Sequence, residues 1–183
     1  MGCTSSAASD RPSKNDPLLD PPPPQELDPR IPLTARQKFS IQKSWKAIQR
    51  NMEGVGMDIF IRLFKAHPEY QDLFPEFKGM SEEKLRNSIN FETHVGIFMN
   101  VIDECIDSLE DADHVINLLT KKGRKHANYG VKPEFISDIE EPFLASVKQL
   151  LEDRYSEKIE EIYKLTIKFI LEHFINGLKE SVG

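Results

Sequence analysis

From residue 34 onward, apolar residues recur at helical intervals. Ile41, Trp45, Ile48 and Met52 are spaced by four, three and four, and Thr34 with Gln37 forms the capping-box pair that opens such a helix. Ile59, Phe60, Leu63 and Phe64 line a second helix, which Pro68 should stop because a proline disfavours helical backbone in the residue before it. A short helical turn over 69–73 leads to Phe74 and Phe77. Ser81, followed by Glu82 and Glu83, predicts the start of one long helix whose apolar face carries Phe91, Phe98, Ile102, Cys105 and Leu109. A shorter helix is expected over about 112–125, stopping near Gly130. Pro133 suits a first helical turn and opens another, with Phe135, Ile139, Phe143, Val147 and Leu151. Ser156 caps the last, whose stripe runs Ile159, Tyr163, Ile167, Ile170 and Phe174. No run alternates apolar and polar long enough for a strand, so the expected fold class is all-α.

The same pattern divides the chain. Eight of the 12 prolines precede residue 34, including the run Pro21 to Pro24, and every aromatic residue follows it, beginning at Phe39. A segment without aromatics cannot bury enough apolar surface to offset its ordering entropy. Residues 1–33 therefore read as a disordered tail, extended around the proline run, and residues 34–183 as one domain. Charge narrows the partners: 24 Lys and Arg against 30 Asp and Glu give a formal net charge of −6. An acidic chain with no basic block is a poor cover for a phosphate backbone, so nucleic acid is not an expected partner. No stretch approaches the ~18 apolar residues of a membrane span. Cys3 and Cys105 make no disulfide framework, which suits a reducing compartment, and Cys105 reads as a buried packing residue.

Two of the five histidines stand out. His94 lies on the apolar stripe of its helix, three residues after Phe91 and four before Phe98. An ionisable group there is either a satisfied core histidine or a ligand. His126 ends the next helix, in Gly123-Arg124-Lys125-His126, where the helix dipole favours an exposed histidine as readily as a functional one. On consecutive helices, the two could face one another across a slot. Without a neighbouring cysteine or third histidine they fall short of a structural zinc site, which needs four ligands. They suit a haem iron, whose porphyrin supplies four nitrogens and leaves two axial positions.

The order of motifs adds to this. Gly56-Met57-Asp58-Ile59-Phe60-Ile61-Arg62-Leu63-Phe64-Lys65-Ala66-His67-Pro68-Glu69, then Phe74 and Phe77, then His94, then Gly-Arg-Lys-His at 123–126, resembles the globin family over about residues 34–180. Within it, the segment from Gly123 to Val131 looks most like neuroglobin and globin X. The resemblance implies a globin fold, with helices A, B, C, E, F, G and H around a pocket for haem b. It implies His126 as the proximal and His94 as the distal iron ligand. Phe74 is the phenylalanine stacked on the haem, and Phe77 accompanies it. Phe60 and Phe98 wall the distal side, and Val131, Phe135 and Ile139 lie near the proximal edge. Lys122 departs from the family, which commonly has leucine there. Its aliphatic stem could cover the ring while the amine reaches solvent or a propionate. The implied function is reversible binding of O2, NO or CO by an iron held by both histidines at rest, with a redox partner protein. Turnover such as nitrite reduction would draw electrons from an external reductant.

The tail carries a separate signal. Met1-Gly2-Cys3-Thr4-Ser5-Ser6 matches the myristoylation pattern at Gly2. One such chain binds a membrane only marginally, and the tail has no basic patch, so the adjacent Cys3 is the expected second, palmitoylated anchor. Globin X proteins are known for an acylated start of this kind, which implies tethering to the cytoplasmic face of the cell membrane. The reading that competes with all of this is a cofactor-free, acylated helical adaptor that docks partners through its surface.

Overall fold

The computed structural model describes residues 27–181, and every element among them is helical. The helices are α1 (Ala35–Gln49), α2 (Met52–Ala66), α3 (Pro68–Gln71), α4 (Glu82–Arg86), α5 (Ile89–Asp107), α6 (Ala112–His126), α7 (Pro133–Ser137), α8 (Glu140–Leu151) and α9 (Glu157–Glu180). Single 3-10 turns cover Ala127–Tyr129 and Glu152–Arg154. The capping residues act as expected. Thr34 and Gln37 close a reciprocal box at α1, and the Ser156 hydroxyl accepts from the Ile159 amide at α9. Gly130 adopts a left-handed φ of 70°, which ends the extension of α6.

Two expected helices are each broken in two. The long helix from Ser81 is interrupted at Asn87 and Ser88. Asn87 donates its side-chain amide to the Glu83 carbonyl, and Ser88 starts a new helix by accepting from the Phe91 amide. Such short polar side chains compete for the backbone groups that a continuous helix would use. The helix from Pro133 stops at Ser137 and restarts at Glu140. Pro142 lies three residues into the second piece, and it has no N–H for the carbonyl four residues earlier, at Asp138.

The tail boundary also lies earlier than the proline content suggests. Ile31 and Leu33 are buried in the core. Arg30 bridges Asp28 and Asp113 at 2.6 Å each, which pins this segment to the start of α6. Gly2, Cys3 and the proline run lie outside the described residues.

Helix α2 is central, packed against α5 and α8, while α9 crosses α6 and α8, and α1 spans α5, α8 and α9. Two crossings are set by glycine. A Cβ on Gly56 would lie 2.5 Å from a Val95 methyl carbon and 2.6 Å from Met99 Cγ, so α2 rests directly on α5. At the α6–α9 crossing, a Cβ on Gly123 would lie 2.0 Å from the Phe174 carbonyl oxygen. The core is continuous around fully buried Trp45, Phe91, Phe143 and Tyr163. Its polar members are partnered: Trp45 donates its indole N–H to Asp103 at 2.7 Å, and buried Lys38 reaches Glu110 at 3.1 Å. Cys105 is buried, and its thiol is pushed up to about 12 by that burial and by Glu104, which suits packing rather than nucleophilic work.

Candidate haem site

The close α2–α5 crossing brings Phe60 and His94 together. His94 is caged edge-on by Phe74 at 4.9 Å, Phe60 at 5.2 Å and Phe77 at 6.2 Å between ring centroids. Phe98 meets Phe60 edge-to-face at 5.2 Å. Phe74, in the turn after α3, stacks on Phe77 at 5.3 Å, and Phe77 is the more deeply buried, backed by Phe91 at 5.4 Å. No residue among those described hydrogen-bonds the His94 ring. Burial, with His126 nearby, pulls its imidazole down to about 4, so the ring is neutral at physiological pH with a lone pair to offer.

His126 is held differently. Its Nδ1 lies 2.8 Å from the Lys122 carbonyl one turn earlier. As a donor there, Nδ1–H leaves Nε2 as the unprotonated nitrogen, which is how metal-ligating histidines are commonly oriented. The ring rests edge-on against Phe174 of α9 at 4.8 Å, with Tyr129 at 6.1 Å. Lys122 therefore enters the site through its carbonyl, while its half-buried side chain makes no ion pair among the described residues.

The remaining candidates are Val131, Phe135 and Ile139. Val131 and Phe135 are half-buried and Ile139 is buried, all against the common core. Phe135 faces Tyr70 at 4.2 Å rather than either histidine. Phe74, Phe98, Val101, Leu118, Val131 and Phe135 are large apolar residues on inner helix faces or loops, yet each stays only half-buried. Such half-exposed apolar walls are what a flat apolar ligand would cover. The donor set fits haem b: two imidazoles, one already oriented for coordination, with aromatic walls for the macrocycle.

Sequence reasoning did not assign Phe174, whose ring meets His126, to the site. Phe174 was legible only as part of the α9 stripe. Its one further signal was Gly177 inside a helix, since a Cβ there would lie 2.1 Å from the Thr120 carbonyl oxygen and so marks the crossing with α6.

An all-helical body that brings two imidazoles together among aromatic rings defines the class of this protein. Residues 57–172 match the globin family, and the chain belongs to it. A crystal structure of a hexacoordinated heme protein from an anhydrobiotic tardigrade superposes with a TM-score of 0.81 at 35% identity, over 83% of this chain and 99% of that one. The neuroglobin of Tetraodon nigroviridis is 30% identical over 132 residues, which are 72% of this chain and 83% of that protein. A globin of Nerita albicilla is 29% identical over 109 residues, covering 60% of this chain and 69% of its own length.

The lowered His94 value has a consequence for the haem-free chain. Between about pH 6.5 and about 4 the unfolded chain carries a proton on His94 that the folded chain does not. Protons bound preferentially by the unfolded state lower stability, so this contribution grows as pH falls through that window and levels off below it. Urea midpoints across the window should fall less steeply for His94→Leu than for the natural chain; equal slopes would contradict the assignment.

Proposed function

We propose that this globin would hold haem b through His126 as a fixed ligand and His94 as a displaceable one, take up O2, NO or CO, and exchange single electrons with a partner protein. The observation that carries this reading is the asymmetry of the two imidazoles. His126 is anchored through Nδ1 to the Lys122 carbonyl, whereas His94 is held only by aromatic edges. When bound, haem supplies an iron that holds a diatomic gas reversibly and changes charge by one electron.

The residues divide the remaining work. The hydrogen bond at Nδ1 keeps Nε2 of His126 aimed and basic. His94 stays neutral, and no hydrogen bond needs to break for its ring to swing aside. A gas must then compete with it, so observed affinity is the intrinsic affinity reduced by the fraction of chains with His94 displaced. The Phe60, Phe74 and Phe98 rings exclude water from that side. Six-coordination in the tardigrade neighbour, at 35% identity, supports the two-histidine resting state. Titrating the haem-free chain with hemin tests the reading: one equivalent should produce a Soret band. A folded chain that stays colourless would favour the cofactor-free adaptor instead.

For the tail, the proposal is a lipid tether to the cytoplasmic face of the cell membrane, with myristate on Gly2 and palmitate on Cys3. What supports it is the Met-Gly-Cys-Thr-Ser-Ser start and the need for a second acyl chain in a tail without a basic patch. Gly2→Ala should move the protein from the membrane fraction to the soluble fraction of expressing cells. Unchanged partition would contradict the tether.

A further inference from the structure

Helix α1 buries Ile41, Trp45 and Ile48, and on its opposite side it presents a stripe that the proposed function leaves unused. Arg36, Phe39, Lys43, Lys46 and Arg50 are all exposed. Their spacings of three, four, three and four place them on one helix face, over roughly 20 Å at a rise of about 1.5 Å per residue. Phe39, within this row, is 65% exposed. Residues 34–50 contain no Asp or Glu, in a chain whose formal net charge is −6. Among the described residues, none of the four stripe cations pairs with a carboxylate. Lys38, the fifth cation of this stretch, instead turns inward and is buried against Glu110.

Helix stability does not account for this arrangement. The N-terminal end of a helix favours acidic side chains, yet α1 has none in its first turn and places Arg36 there. Lys43 and Lys46, and Lys46 and Arg50, are like-charged neighbours about one turn apart, which repel. Glutamate at any of these exposed positions would relieve that repulsion without disturbing the core. The Phe39 ring likewise gains little by standing in water. Side chains that break local rules with no gain in the fold mark a surface kept for another purpose. Along the chain the cations are spread out and form no block; the helix gathers them.

We propose that this face of α1 docks on an anionic lipid surface, with Arg36, Lys43, Lys46 and Arg50 against the headgroups and Phe39 seated among them. Charge complementarity picks out the partner. A leaflet rich in acidic lipids offers many mobile negative charges in one plane, so a row of cations on a convex helix needs no shaped counterpart. Cations beside an exposed aromatic ring are also the pattern of helices that lie along a membrane interface. A protein partner would ordinarily bury a central apolar cluster within a polar rim, and this stripe has a single aromatic and no such cluster. Docking through α1 fixes which side of the domain meets the lipid. The inference stands apart from haem binding and from acylation of Gly2 and Cys3, since it uses neither.

The test uses the full chain carrying Gly2→Ala, so that no acyl chain contributes, in sedimentation with lipid vesicles. Phosphatidylcholine vesicles that contain phosphatidylserine should take up the protein at least about ten-fold better than phosphatidylcholine alone. Each cation near such a surface is worth about five-fold in partition, so Lys43→Gln with Lys46→Gln should lower uptake by about 25-fold. Lys43→Arg with Lys46→Arg should keep it. Lys121→Gln with Lys158→Gln removes the same charge from exposed positions of α6 and α9, and should leave uptake within about two-fold because the attraction is local. Raising salt from about 0.1 M to about 1 M shortens the screening length from ~10 Å to ~3 Å and should release most of the bound protein, a readout that needs no variant of α1. Circular dichroism checks that each variant folds. No uptake, equal uptake by the two vesicle types, or undiminished uptake in Lys43→Gln with Lys46→Gln would overturn the proposal. So would binding to polyglutamate or to an oligonucleotide duplex without binding to vesicles, which would give the face to another class of partner.

Discussion

His126→Ala is expected to leave the chain helical and folded but unable to retain haem. Replacing a mere outer-shell partner of a metal ligand typically costs ~10–100-fold in affinity, so loss of the fixed ligand should lower hemin affinity by more than about 100-fold. The fold should survive because His126 sits at the end of α6 and is half-buried, contributing an edge contact with Phe174 rather than core volume. Hemin titration monitored at the Soret band measures the loss, and circular dichroism checks the fold. Added imidazole should restore part of the spectrum by occupying the vacated position. Retention of hemin within ten-fold of the natural chain would remove His126 from its assigned role.

Gly123→Ala is the second change with a large expected effect, and it acts through backbone. The added methyl would lie 2.0 Å from the Phe174 carbonyl oxygen and 2.8 Å from the Leu178 amide nitrogen. Neither is the end of a flexible side chain, so α6 and α9 must move apart. Overpacking ordinarily costs ~1–3 kcal/mol, and a clash with backbone belongs at or above the top of that range. Separation of the two helices also withdraws Phe174 from His126, so haem retention should fall together with stability. Gly96→Ala is the matched control, since nothing lies within 4 Å of a Cβ there. Alanine at that interior position of α5 should be neutral or stabilising by up to ~1 kcal/mol. Urea denaturation of both variants checks this, and a wild-type midpoint for Gly123→Ala would contradict the close crossing.

The helices were legible because their signals are local. Thr34 with Gln37, Pro68, Ser156 and the apolar stripes each act within a turn or two of chain, and each marks the element found there. The two breaks were missed where a local signal competed with a longer period. Asn87 and Ser88 lie between the start at Ser81 and the stripe that begins at Phe91, and Pro142 lies within the stripe from Phe135 to Leu151. At the site, residues that share a helix stripe with His94 were visible, among them Phe91 and Phe98. Phe174 was not. Its partner His126 comes from an element far away in sequence, and only the crossing of α6 with α9 creates that contact. Lys122 illustrates the same limit: its departure from leucine drew attention to the side chain, while the observed tie to His126 is through its carbonyl.

The visible absorption spectrum of the ferrous, haem-loaded protein, recorded with no added gas, bears on the pair of imidazoles most directly. Sharp, split bands of a low-spin iron are expected for the natural chain, giving way to one broad high-spin band in His94→Leu with haem still retained. A broad high-spin band in the natural chain, unchanged by the substitution, would contradict coordination by His94.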